Sequence, residues 1–250
     1  MIRKALFLTI AMVAGSAALN AQGRGGAAAP ARTSSPVDLT GYWVSIIVDE
    51  WRFRVTPQKG DLPYLPINAE ARRVAMAWDP AKDEADGSSC KAYGAVGVMQ
   101  RPGRLHITWQ NDNTLKIEAD AGTQTRLIHF GPPADKGAPS LQGYSVAQWQ
   151  MPGGRGRGGA PGGPPVPGTL KITTTNLLPG YIRKNGVPHS GNAVLTEYVN
   201  RLEGAEGDAY IVVTAEVEDP MYLNQPFVRT YQFKKQPDAT GWNLTPCMPR

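Results

Sequence analysis

Histidine and cysteine are scarce in this chain: its 250 residues hold three histidines and two cysteines. The histidines, His106, His129 and His189, lie far apart, and neither His-x-His nor His-Glu-x-x-His occurs. Zinc chemistry needs such ligands grouped, so no metal site is expected. No glycine-rich phosphate loop precedes a helix, and no cofactor is expected. A nucleophilic serine would need its elbow, and Gly143-Tyr144-Ser145-Val146-Ala147 departs from Gly-x-Ser-x-Gly at the last position. Glycoside cleavage would need two carboxylates on an inner face. Glu216 and Glu218 alternate with Ile211, Val213, Ala215 and Val217 and are expected to point outward.

Charge of one sign is also missing where it would matter. The formal net charge is +5, but Arg3 and Lys4 sit in an N-terminal leader and Arg24, Arg32, Arg155 and Arg157 in Gly/Pro/Ala-rich stretches. What remains to fold is close to neutral, and no strand face interleaves cations with aromatics. A nucleic-acid partner is therefore not expected. The apolar run Ala5 to Ala14 is too short to span a bilayer, and no membrane span is expected. Preceded by Arg3-Lys4 and followed by small residues up to Ala21, it reads as a secretory signal peptide over residues 1–21. The mature protein is expected in the periplasm or secreted. There, Cys90 and Cys247 should pair as a structural disulfide.

Residues 22–37 are rich in Gly, Ala, Pro and Ser and read as a flexible leader; residues 38–250 read as one domain. Its first strand is expected to run from Asp38 to Val55, with two alternating sets of side chains. A helix follows, capped by Asn68, with Ala71, Val74, Ala75 and Trp78 on one apolar stripe; Asp79-Pro80 ends it. Residues 79–97 read as a long loop holding Cys90.

Arg104 to Phe130 reads as a three-stranded meander. Turns of three residues would place His106 opposite Glu118, Trp109 opposite Leu115, and Lys116 opposite Arg126. That register puts Leu105, Ile107, Trp109, Leu115, Ile117, Leu127 and His129 on one apolar face and Arg126 on the charged one. Further strands are expected at 143–150, 169–177, 193–202, 209–218 and 227–234, with 178–192 a loop. The stretch 151–168, dense in Gly, Pro and Arg, reads as a disordered insertion with nothing to bury. These segments predict an all-β fold: an antiparallel barrel of about nine or ten strands with one early α-helix.

Gly41-x-Trp43 on a first strand resembles the lipocalin or calycin pattern. The wider pattern comprises Asp38-Leu-Thr-Gly-x-Trp43, a helix between Pro66 and Trp78, Cys90, Tyr144 to Trp149, Gly186 to Ser190, Thr196-Glu197, Glu218 to Pro220 and Cys247. It resembles a large group of secreted, lipocalin-like bacterial proteins without assigned activity. The resemblance implies a barrel whose Trp43 plugs one end beneath an arginine of the last strand, for which Arg229 is the candidate. The insertion after Trp149 departs from that group.

Candidate functional residues follow from the same reading. His189, beside Pro188 and Ser190, lies on a loop entering the strand that carries Glu197, so the two form a possible acid–base pair at the barrel mouth. His129 on the apolar face, with Tyr144, Trp149, Tyr181, Trp51 and Arg52, would line a cavity. The leading expectation is an exported barrel that binds a small hydrophobic or aromatic molecule. The alternative is a cofactor-free isomerase, cyclase, lyase or hydrolase using His189 and Glu197. A third, an envelope interaction protein, would use the 151–168 insertion. Oligomeric state leaves no mark in the sequence.

Overall fold

The computed structural model describes residues 29–48, 51–55, 57–131, 135–151 and 168–249. The expected signal peptide over residues 1–21, most of the 151–168 insertion, and Asp49 and Glu50 lie outside these. Nine strands close into a barrel: β1 (Gly41–Ile46), β2 (Arg104–Asn111), β3 (Thr114–Ala119), β4 (Gln124–Phe130), β5 (Tyr144–Gln150), β6 (Thr169–Thr175), β9 (Val194–Glu203), β10 (Ala209–Glu218) and β11 (Phe227–Gln236). Two further strands, β7 (Gly180–Arg183) and β8 (Val187–His189), form a separate hairpin. Around the barrel the order is β1-β11-β10-β9-β6-β5-β4-β3-β2, and β2 returns to β1. Alternation builds the interior: on β10, Ala209, Ile211, Val213, Ala215 and Val217 are all buried and face the core.

The sheet is mixed, because β4 and β5 run parallel over Ile128–Phe130 and Ser145–Ala147. A hairpin cannot join parallel neighbours, so the chain crosses over through residues 131–143.

The first strand stops at Ile46, and residues Trp51–Val55 form a short helix, α2, after the single-turn helix α1 (Ala31–Ser34). The apolar alternation of 42–48 does not persist through Trp51-Arg-Phe-Arg-Val55, where a helical turn instead buries Arg54 and leaves Trp51 exposed. Helix α3 (Ala69–Ala77) is capped as its sequence predicts, Asn68 accepting from the Ala71 amide at 2.9 Å. The loop expected over 79–97 is largely helical: α4 (Pro80–Ala85), a 3-10 helix (Ser89–Tyr93) and α5 (Ala95–Val98). Asp79, read as a stop, is also the cap of α4.

These pieces and the β7–β8 hairpin cap one end of the barrel, with α3, α5 and the 3-10 helix all packing on the hairpin. Gly186 turns that hairpin at φ +80, and a Cβ there would lie 2.1 Å from the Trp78 ring. Cys90 and Cys247 are joined, Cα atoms 5.1 Å apart, tying the C-terminal tail to the 3-10 helix across 157 residues of sequence. Tyr93 and Met248 bond each other at 3.2 Å. The expected leader ends in order, with α1 seated on the β2–β3 turn through Asn113 and Asp112.

The opposite end is filled. Trp43 is fully buried, its indole N–H donating to the Leu39 carbonyl at 3.0 Å. The cation above it is Lys235 on β11, 4.6 Å from the ring, whereas Arg229 lies over Phe227 and donates to the Val228 carbonyl. The register places Trp43 opposite Lys235, six residues beyond Arg229, near the far end of the barrel. Lys235 also donates to the Thr40 carbonyl, and Gly41 makes room: a Cβ there would meet the Lys235 ammonium at 2.6 Å. Trp109 and Phe130 pack at 5.4 Å beside this plug, with Trp149 also against the core.

Candidate functional site

The meander register decides what enters the barrel. β2 and β3 pair as expected, Trp109 opposite Leu115 and His106 opposite Glu118. The next turn has four residues, Asp120–Thr123, with Thr123 at φ 52 and its amide on the Asp120 carbonyl. The extra residue shifts β4 by one, so Ile117 faces Arg126 and Leu115 faces Ile128. A one-residue shift sends every side chain of a strand to the other face. His129 therefore points outward, stacked on Tyr144 at 5.0 Å, and Arg126 points into the barrel. Inside, Arg126 makes a two-pronged bond to Glu197, at 3.1 and 2.6 Å, and donates to Thr174 at 3.3 Å. Thr174 in turn shares a 2.7 Å hydrogen bond with Ser145.

That pairing commits Glu197. His189 is bonded elsewhere, its Nδ1 3.1 Å from the Ser190 carbonyl, and its Nε2 packs against Gly180. Burial holds the imidazole below its ordinary pKa, against the opposing pull of the Ser190 carbonyl and Asp219. Ser190 is no nucleophile of a triad: its hydroxyl and amide both donate to Asp219, at 2.9 and 2.5 Å. Thus the structure places Glu197 in the barrel, bonded to Arg126, and His189 in the cap, bonded through Nδ1 to the Ser190 carbonyl.

The remaining sequence-derived residues scatter. Tyr181 donates to Asp83 at 2.9 Å, and Asp83 also accepts from the Trp78 indole at 2.7 Å. Burial and the Asp83 carboxylate push the Tyr181 phenol well above its ordinary pKa, so it stays protonated. Arg52 pairs with Asp61 at 3.0 Å on the surface side of α2. Trp51 is exposed, Tyr144 stacks on the outer wall, and Trp149 is half-buried near the filled end.

A different group does converge. Arg54, Arg101 and Arg183 are 4%, 4% and 1% exposed. Arg54 comes from α2 and donates to the Ile46 carbonyl at 3.0 Å and the Gln100 carbonyl at 3.2 Å. Arg101 follows Gln100 directly, and the Gln100 amide reaches the Ile182 carbonyl at 2.5 Å, next to Arg183. Aromatic rings wall the group: Arg183 lies 4.3 Å over Phe53 and 5.8 Å from Phe227, and Arg54 lies 5.4 Å over Tyr231. Arg54 and Arg183 are thus engaged. By contrast, all three guanidinium nitrogens of Arg101 are buried without a hydrogen-bond partner among the described residues. Burial, together with the neighbouring Arg54 and Arg183, depresses its pKa to about 10, against a smaller opposing influence of Tyr93 and Tyr231.

These arginines were hidden in sequence. Arg54 sat in an assumed strand, Arg183 in an assumed loop, and Arg101 beside Pro102 with no pattern around it. Nothing in periodicity marks three cations that meet only through the cap.

No group of three or more His, Cys, Asp or Glu side chains is arranged to hold a metal ion among the described residues. No helix among them is long and apolar enough to cross a membrane. No protein-family model, curated protein or solved structure matches this chain.

Proposed function

We propose that this chain is an exported, lipocalin-like barrel that binds a small molecule with an aromatic or apolar body at the capped end, among Phe53, Tyr93, Phe227 and Tyr231. One observation carries the reading: a buried guanidinium, that of Arg101, is left without a hydrogen-bond partner among the described residues, close to Tyr93 and Tyr231 and to Arg183, which Phe53 and Phe227 flank. Burying a charge unpaired costs several kcal/mol, so a fold that keeps one there is keeping it for something else. The flanking rings supply flat apolar contact, and stacked guanidinium groups add cation–π attraction. The disulfide and the signal-like N-terminus support export. The Gly41-x-Trp43 plug supports kinship with the secreted lipocalin-like group.

Native mass spectrometry of the protein taken from the exported fraction tests this. A small-molecule adduct should accompany the protein and be missing after refolding from denaturant. Bare protein from both preparations, with no thermal stabilisation by any aromatic compound in a screened panel, would end the proposal.

A further inference from the structure

The geometry points to an oxyanion, a carboxylate or phosphate carried by the bound molecule, as the partner of the Arg101 guanidinium. This rests on the reading of the capped end as a small-molecule site and names the charged group that site selects.

The argument begins with what surrounds Arg101. Its backbone is fixed by the turn that ends α5, its amide donating to the Val98 carbonyl at 3.0 Å. Its Nε, Nη1 and Nη2 are all sequestered from water without a hydrogen-bond partner among the described residues. The groups with which it interacts by charge are Tyr93, Tyr231, Arg54 and Arg183, two phenols and two cations. The described acids of the cap are committed elsewhere: Asp83 to Trp78 and Tyr181, Asp219 to Ser190, and Asp61 to Arg52. A planar fork of donors, buried beside two phenols and two further cations, matches a bidentate oxyanion better than any neutral guest. Low dielectric strengthens that pairing and punishes a ligand lacking the charge. The same chain shows the chemistry completed internally, since Arg126 holds the Glu197 carboxylate two-pronged inside the barrel. At Arg101 the equivalent carboxylate would come from outside.

Two acids that precede Trp51 in the sequence, Asp49 and Glu50, lie outside the described residues, and the experiment includes them. Isothermal titration of the refolded full chain uses 2-naphthoate, its neutral analogue 2-naphthalenemethanol, and inorganic phosphate. Expected is saturable naphthoate binding, with the alcohol weaker by about tenfold or more, as a charge-assisted hydrogen-bonded pair warrants. Arg101→Met should reduce naphthoate to the level of the alcohol. Should that variant not fold, Arg101→Lys, which keeps the charge without the fork, should weaken naphthoate while leaving the alcohol unchanged.

Equal affinity for naphthoate and the alcohol overturns the oxyanion assignment and leaves the small-molecule site standing. Phosphate binding as tightly as naphthoate supports the oxyanion and counts against an aromatic body. No binding by wild type, with naphthoate binding appearing in Asp49→Asn or Glu50→Gln, shows an internal carboxylate in the seat and overturns the inference. No binding by any protein overturns it as well, and the adduct measurement then decides separately whether the site exists.

Discussion

Two buried arginines of this molecule have the same chemistry and opposite circumstances. Arg126, inside the barrel, is bonded through both terminal nitrogens to Glu197 and also reaches Thr174. Arg101, in the cap, has no hydrogen-bond partner for its guanidinium among the described residues. The barrel wall is self-sufficient, and its filled end is closed by Trp43, Trp109 and Phe130. The cap is assembled from short helices and a hairpin that bury cations without neutralising Arg101. A buried ion pair serves as structure when both partners belong to the fold; on the function proposed above, the unmatched charge of equal depth is kept for a ligand.

That contrast can be broken most severely at the matched pair. Glu197→Gln leaves Arg126 buried without its carboxylate and should cost about 3–5 kcal/mol in urea unfolding. Replacing both residues by Met should recover most of that loss, because the pair's desolvation cost disappears with it. A comparable loss of about 3–5 kcal/mol is expected from Trp43→Ala, which opens a cavity at the filled end. In the folded fraction of that variant, ligand affinity at the cap should be unchanged, measured by titration beside wild type.

Removing the disulfide should cost somewhat less, about 2–4 kcal/mol, although the chain-entropy argument for a closure of this length gives about 5 kcal/mol. Unlike Trp43→Ala, Cys90→Ser/Cys247→Ser should also weaken ligand binding. The strap it anchors bonds Met248 to Tyr93, and Tyr93 stands beside Arg101.

The smallest effect concerns acid. His189 has a folded-state pKa held below its ordinary 6.5 by burial, so the unfolded chain binds the proton more readily. Its contribution is fully present above about pH 6.5 and is lost as pH falls through the lowered folded-state value. His189→Gln should flatten the stability profile on that acid side, read by thermal unfolding across pH 4–8, while leaving naphthoate affinity at pH 7.5 unaltered.

How much of this was legible in the sequence differs between the same two regions. The barrel was readable because alternation is a local signal: β2, β3, β9 and β10 follow it closely, and the β2–β3 register follows from a short turn. One added residue at Thr123 exchanged the faces of β4 and with them the roles of His129 and Arg126. The parallel β4–β5 pairing carries no period of its own and could not be read. The cap was opaque for a different reason. Apart from α3, whose stripe and cap were readable, its helices are six residues or shorter, too short for an amphipathic period, and its arginines meet through contacts distant in sequence. On α2, Trp51 and Arg52, the candidate ligand residues, are exposed, while Arg54 is buried against Tyr231 and Phe53 lies under Arg183.

The stability of Arg101→Met against wild type, both refolded and free of ligand, reaches the central claim most directly. Burial lowers the Arg101 pKa well below its ordinary value, to about 10, so at neutral pH the buried charge opposes folding by on the order of a few kcal/mol. Replacing the guanidinium with an apolar chain of similar length should therefore raise the urea midpoint while abolishing the response to naphthoate. A variant less stable than wild type would mean that Arg101 already holds its counter-charge within the chain, and the cap would then be structure alone.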